Sequence, residues 1–220
     1  MNADIHVIIM TMKKGLFITF EGPDGSGKTT VSTKVTERLK QEGYAVSYTR
    51  EPGGSYIAEQ IRNVILDPKN TDMDPRTEAL LYAASRRQHL TDIVLPQIEK
   101  GVTVISDRFI DSSLAYQGYG REIGEEEVFA INAFAIEGHM PDCTIFLNID
   151  AELGLERIHQ NRDYLDRLDL ESKEFHDRVY NGYQKVIQKY SDRMVIVDAS
   201  KDLEEVCEAC YNILKGLLDD

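Results

Sequence analysis

The chain has 220 residues, of which 42% are apolar and 29% charged, and its formal net charge is −13 at pH 7. A chain of that length and composition suits one soluble domain, burying roughly 70% of the surface its unfolded form exposes. The negative field excludes a general nucleic-acid or anionic-membrane binder, so any anionic ligand must be met by a local cluster of Arg and Lys. Three cysteines, Cys143, Cys207 and Cys210, are too few for a disulfide scaffold. With no export signal in view they point to a reducing, cytoplasmic setting. Cys207 and Cys210 read as two positions on one helix face, because no second pair or nearby His completes a metal site. Residues 1–12 read as a leader peripheral to function, and 13–220 as the single working domain. The leader's apolar run, Ile5 to Met10, is too short for a signal peptide or a membrane span.

Gly15 to Glu21 reads as a buried strand, followed by Gly22, Pro23, Asp24, Gly25, Ser26, Gly27, Lys28, Thr29 and Thr30. Val31, Val35 and Leu39 then recur at helical spacing. Strand, G-x-x-x-x-G-K-T and helix form the setting of a phosphate-binding loop. Its glycines let backbone N–H groups turn inward around a polyphosphate, and the helix N-terminus adds partial positive charge. Lys28 would reach the β- and γ-phosphates, and the Thr29 hydroxyl would hold Mg²⁺. The alternative is a Gly-rich turn that merely starts a helix.

Tyr44 to Thr49 is the second predicted strand, closed by Glu51-Pro52-Gly53-Gly54. A helix spans Ser55 to Leu66, and Pro75 opens a long one reaching about Lys100, with Pro96 bending its last turn. Val102 to Ser106 is the third strand. Phe109 to Gln117 predicts a short helix, with Gly118 to Gly120 flexible after it. A helix over Glu125 to Gly138, a strand over Cys143 to Ile149 and a helix from Ala151 to about Gln160 follow. Asn161 to Asp169 looks too polar to pack and predicts a mobile loop. Glu171 to Tyr190, Met194 to Val197 and Asp202 to Leu218 complete the chain as helix, strand and helix. This alternation predicts an α/β fold with a parallel sheet, and ligands beyond the carboxyl ends of its strands.

The phosphate loop, Arg50 with Glu51, and Asp107 with Arg108 all fall at such ends. Asp107 sits where phosphate-loop proteins place an acid near Mg²⁺, though it could equally be a helix N-cap. Arg108 beside it is poorly explained as idle surface charge. Tyr82 and Arg86 lie four residues apart on one helix face, as do Ser113 and Gln117. Each pair suits a base-binding wall, since an amide offers both a donor and an acceptor, and each also suits ordinary core packing. The phosphate loop has Gly25 and no arginine, so charge on a transferred phosphoryl group needs a cation from elsewhere. Arg157, Arg162 and Arg167 surround the one polar loop able to close over the site. Asp163, Asp166 and Asp169 could instead neutralise them in a solvated loop.

These residues together resemble the thymidylate kinases, which phosphorylate dTMP with ATP. The resemblance rests on Phe20 to Thr30, Thr49 to Gly54, Leu81 to Arg87, Asp107-Arg108 and Asp111 to Gly118, and it runs from about Lys14 to the C-terminus. Gly25 makes the chain similar to the bacterial form, whose catalytic arginine sits in the lid. The resemblance implies a three-layer fold of the phosphate-loop nucleoside monophosphate kinase type, with five strands ordered 2-3-1-4-5, and a homodimer. It implies ATP and dTMP as partners, with Mg²⁺ between Thr29 and Asp107. Lys28, Asp107 and Arg108 would be catalytic, joined by a lid arginine that is one of Arg157, Arg162 and Arg167, with Arg162 and Arg167 the two put forward. Asp24 would meet the deoxyribose 3′-hydroxyl, and Arg62 and Arg108 the dTMP phosphate. Glu51 would position the metal, its waters and the nearby arginines. Arg86, Gln117 and Ser113 would bond thymine, and Tyr82 would stack on it where many relatives have Phe.

Two other functions fit parts of the sequence. A nucleoside kinase would use Glu51 as the carboxylate beside its acceptor hydroxyl. A guanine-nucleotide switch would need an Asn-Lys-x-Asp motif, which the chain lacks.

Overall fold

The computed structural model describes residues 14–150, 152–154, 156–157 and 167–219. The leader, Arg162, Asp163 and Asp166 lie outside these residues. Five parallel strands form the sheet: β1 (Phe17–Glu21), β2 (Val46–Arg50), β3 (Thr103–Asp107), β4 (Cys143–Asn148) and β5 (Met194–Asp198). Their order is β2-β3-β1-β4-β5, which is the order the family resemblance implies. Burial of β1 and β3 at every position explains their near-continuous apolar, β-branched sequence.

Successive residues of β1 face opposite sides of the sheet, and each side acquires its own core. Ile18 and Phe20 pack with Val31, Val35 and Leu39 of α1 (Lys28–Gln41) and with Cys210 and Leu214 of α8 (Leu203–Asp219). Phe17 packs on the other side with Leu90, Phe109, Phe146 and Tyr183. That side is covered by α3 (Pro75–His89) and α7 (Lys173–Lys189), and α2 (Tyr56–Leu66) and α6 (Glu125–Ile136) flank α3. All three cysteines are buried and free. No described helix is long and apolar enough to cross a membrane.

Register decides what meets at the ligand end. Phe20 pairs with Asp107, and Asp107 pairs with Arg50. Glu21, Arg50 and Asp107 therefore arrive at one edge, each followed by a turn.

Three predicted segments differ in the structure. The helix from Pro75 does not continue in α geometry to Lys100. It widens into a π turn over Leu90–Val94 and resumes as α4 (Leu95–Glu99). The Leu95 N–H bonds the Leu90 carbonyl five residues back, and Pro96, with no N–H, could not have continued the narrower pattern. Residues 118–120 belong to a regular element and not to a loop: after α5 (Ile110–Ser113) the chain forms a π-helix over Leu114–Gly120, in which Gly118 lies close to Gly124 and Glu125 and Gly120 packs against Phe175 and Val179. Nor is the whole polar segment unpacked, since Arg167 and Leu168 are only 4% and 7% exposed.

Gly120 shows why this second wide turn needs a residue without a side chain. A Cβ there would stand 2.7 Å from Val179 Cγ2 and 2.9 Å from Phe175 Cε2. Gly120→Ala should therefore destabilise the fold by about 1–3 kcal/mol through overpacking. Urea unfolding monitored by circular dichroism measures this, and an unchanged midpoint would mean α7 yields freely.

Candidate active site

The phosphate loop leaves β1 through glycines in conformations that side chains rarely adopt. Gly22, Gly25 and Gly27 have φ of 146°, 79° and 84°. At Gly25 a Cβ would also collide with the Gly154 carbonyl oxygen at 2.0 Å, so no longer residue fits there in this arrangement. Lys28 begins α1 and folds back over the loop, its Nζ donating to the Pro23 carbonyl at 2.8 Å and to Ser26 Oγ at 3.4 Å. Burial, followed by the nearby Arg108 charge, lowers its pKa from 10.5 to about 8, although Asp24 and Asp107 pull the other way. Thr29 Oγ1 donates to Asp107 Oδ2 at 2.5 Å, so the two sequence-predicted metal ligands meet.

Beyond β3 the chain turns sharply. Arg108 has φ of 73°, a left-handed conformation costing a non-glycine residue of order 1 kcal/mol or more. Its N–H bonds the Phe20 carbonyl at 2.9 Å, tying the turn to β1. The side chain is then gripped from several directions. Nη2 donates to Asp24 Oδ1 at 2.5 Å, and Nη1 to Ser112 Oγ at 2.9 Å and the Tyr183 hydroxyl at 3.1 Å. Tyr116 donates to Asp24 Oδ2 at 2.6 Å, completing the clasp. Burial alone would weaken the Arg108 charge, but the Tyr116 and Asp24 oxygens outweigh it and raise its pKa well above the ordinary value.

Behind Arg108 lies Glu21, fully buried at the end of β1. It accepts from the backbone N–H groups of Phe109 and Ser112, and from the Ser112 and Tyr183 hydroxyls. Burial, then the charge of Asp111, pushes its pKa up to about 7, against a lowering by Arg108.

The second wall belongs to α3. Arg86, 1% exposed, donates from Nε to Glu51 Oε2 at 2.8 Å, from Nη1 to Ser113 Oγ at 2.9 Å and to Asn132 Oδ1, and from Nη2 to the Phe109 carbonyl at 2.9 Å. Glu51 also holds His89, with Oε1 and Nδ1 2.8 Å apart, and His89 Nε2 lies 2.7 Å from Thr49 Oγ1. Arg62 Nη1 donates to the Pro52 carbonyl at 2.8 Å. Arg157 reaches the Ala199 carbonyl at 2.9 Å.

One cleft of about 580 Å³ runs between these walls. It is lined by Asp24, Gly25, Gly27, Lys28, Thr29 and Thr30 on one side, and by Glu51, Arg62, Tyr82, Arg86, Ser113 and Gln117 on the other. Asp107, Arg108 and Arg157 line it as well. Gly22, Pro23 and Ser26 belong to the loop but not to this lining. Arg167 lies elsewhere, donating to the Ile65 carbonyl at 2.8 Å and to Glu78 Oε2 at 2.6 Å. The polar loop thus contributes a buried structural ion pair in addition to any solvated charge.

Sequence reasoning missed His89, Asn132, Tyr116, Tyr183 and Glu78. Each stands on a helix or π turn at a position that also reads as ordinary core or surface, and each acquires its role through a distant partner.

Comparisons with known proteins bear on the whole chain and its fold. The sequence profile described as thymidylate kinase matches residues 20–210. The chain belongs to the thymidylate kinase family. A thymidylate kinase of Geobacillus sp. (strain WCH70) is 54% identical over 194 residues, covering 88% of this chain and 92% of that one. The thymidylate kinase of Enterococcus faecalis is 55% identical over 203 residues, covering 91% and 96% respectively. Among solved structures, the thymidylate kinase of Ehrlichia chaffeensis superposes with a TM-score of 0.74 at 32% identity, over 92% of this chain and 99% of that one.

The lowered Lys28 pKa has a measurable consequence. Between about 8 and 10.5 the unfolded chain holds the Lys28 proton more tightly than the folded one, so burial of this lysine costs stability at neutral pH and the cost fades as pH rises. A triphosphate placed against Lys28 reverses the shift. At pH 8 its binding should take up about half a proton per site. Calorimetry in two buffers of different ionisation enthalpy measures the uptake, and Lys28→Met should remove it. Equal uptake in Lys28→Met would assign the proton to another group.

Proposed function

We propose that this chain carries out the reaction of its family, transferring the γ-phosphoryl group of ATP to dTMP to give dTDP and ADP. The observation that supports this reading best is the meeting, in one cleft, of the phosphate loop with a base-sized wall built on Arg86, with Arg108 between them. ATP lies along residues 22–30, its phosphates met by loop N–H groups and by Lys28, which exchanges the Pro23 carbonyl for phosphate oxygens. dTMP lies opposite, its phosphate between Arg62 and Arg108 and its 3′-hydroxyl near Asp24. Tyr82 stacks on thymine, while Arg86, Ser113 and Gln117 bond its edge.

No general base is required. A phosphate monoester has its second pKa near 6, so dTMP arrives mostly as a dianion ready to attack. What the protein supplies is alignment and positive charge. Arg108 fits the central part because Asp24, Tyr116, Ser112 and Tyr183 fix its guanidinium before either substrate arrives. Glu51 acts chiefly by orienting Arg86. Arg162 and Arg167 are assigned to stabilising the transferred phosphoryl, and Arg167 would have to leave Glu78 to do so.

Among the described residues no three His, Cys, Asp or Glu side chains cluster as a metal cage. Mg²⁺ fits this site nonetheless, because it takes one or two protein oxygens with phosphate oxygens and water completing its shell. Thr29 and Asp107 offer such hard oxygen donors and would hold it. When bound, Mg²⁺ supplies charge neutralisation along the triphosphate.

We assign residues 13–220 to one catalytic unit working in the cytoplasm as a homodimer. Exposed apolar side chains on α2, α3 and α6 support the dimer: Ile57, Val64, Leu80 and, at 89% exposure, Phe134.

ATP consumption screened against dTMP, dUMP, dCMP, AMP and GMP tests the substrate assignment. dTMP should be clearly the best acceptor, thymidine should not be phosphorylated, and Lys28→Ala should abolish transfer. Preference for another monophosphate would overturn the thymine site, and normal turnover in Lys28→Ala would overturn the phosphate-loop chemistry.

A further inference from the structure

Behind the base wall of the cleft stands a carboxylate that no motif announces. Glu78, in the first turn of α3, is fully buried. Its Oε1 accepts from Gln117 Nε2 at 2.8 Å. Its Oε2 accepts from Arg167 Nη2 at 2.6 Å and from Arg121 Nη2 at 3.0 Å, and Arg121 is itself shared with Glu171 at 2.6 Å. A buried acid in contact with two guanidinium groups is a carboxylate, and a carboxylate only accepts hydrogen bonds.

This fixes something that a side-chain amide otherwise leaves open. An amide has one donating nitrogen and one accepting oxygen, and which faces a ligand depends on its other partner. The reversed orientation of Gln117 would set its oxygen against a carboxylate oxygen. One Nε2 hydrogen is therefore committed to Glu78, and Oε1 is the acceptor that Gln117 keeps for the cleft it lines, beside its second Nε2 hydrogen. Arg86 on the same wall has donors only. The wall thus presents an acceptor beside a donor.

That pattern has a complement among pyrimidines. Thymine carries a donor at N3 and an acceptor at O4, whereas a 4-aminopyrimidine carries an acceptor at N3 and a donor at N4. We propose that Glu78 is a positioning residue that sets the Gln117 amide, so that the site accepts 4-keto pyrimidines and rejects 4-amino ones. The inference rests on the thymine-site reading above and adds to it the origin of the amide's orientation.

The test compares kcat/KM for dTMP and for 5-methyl-dCMP, which differ only in the N3 and C4 pattern. Glu78→Asp keeps a negative charge beside Arg121 and Arg167 but withdraws the carboxylate by about 1.5 Å, one carbon–carbon bond, beyond direct hydrogen-bond reach of Gln117. Glu78→Gln lets the partner amide sit either way. In both, the preference for dTMP should fall tenfold or more, since a mispaired buried polar group is what sustains it. In Glu78→Asp the fall should come from a KM for dTMP raised relative to that for 5-methyl-dCMP, and not from kcat, which a shifted Arg167 would change for both substrates alike. In Glu78→Gln it should come also from improved use of 5-methyl-dCMP. A folded variant of either kind that keeps the parent preference would overturn the proposal and leave Glu78 as a neutraliser of two arginines. An unaltered protein that does not prefer dTMP to 5-methyl-dCMP would overturn the thymine-site reading itself.

Discussion

The site depends on a carboxyl group that stands behind the cleft and does not line it. Glu21 ends the central strand in full burial and draws in two backbone N–H groups and two hydroxyls from the turn after β3 and from α7. An unpaired acid there would be costly, so the turn has to close around it. Closing that turn carries Arg108 into a left-handed backbone conformation and aims its guanidinium across the loop that follows Glu21 itself. One buried group therefore sets the relation between β1, which presents the phosphate loop, and β3, which presents the arginine. The parallel register reinforces this, because Phe20 and Asp107 are paired neighbours.

Charge is organised in the same economical way. The chain is strongly acidic overall, yet its cleft gathers Lys28, Arg62, Arg86, Arg108 and Arg157. Each of those whose partners are described is steadied by an oxygen: Pro23 for Lys28, Pro52 for Arg62, Glu51 for Arg86, Asp24 for Arg108 and Ala199 for Arg157. Such pre-arranged cations lose little on meeting a phosphate, which is the condition under which electrostatic stabilisation is most effective. The cost appears in the lowered pKa of Lys28, which sits buried beside Arg108.

Much of this was legible in the sequence, for identifiable reasons. Five short apolar runs alternating with helical periodicity fix a parallel sheet, and a phosphate loop announces itself within nine residues. Strand ends then draw attention to Glu51, Asp107 and Arg108. Hidden from sequence were groups whose importance arises only when distant segments meet. Tyr183 reads as helix core, and is core, but its hydroxyl reaches Glu21 from 162 residues away. Arg167 reads as loop charge until Glu78, 89 residues earlier, is found paired with it. Gly118 and Gly120 read as slack, because a glycine that permits flexibility and one that permits close approach look identical in one dimension. Pro96 marked the right neighbourhood, but its sequence could not say that the helix would widen before it instead of bending at it.

Arg108 is the residue on which both halves of the cleft converge, so steady-state kinetics of Arg108→Lys is the most direct measurement of the whole account. Lysine keeps the charge but not the planar fork that Asp24, Ser112 and Tyr183 hold together. The account predicts a joint loss, with a raised KM for dTMP and a kcat lowered by a hundredfold or more, of the order seen when one pre-arranged transition-state donor is removed. Parent-like kcat and KM in a folded Arg108→Lys protein would contradict it.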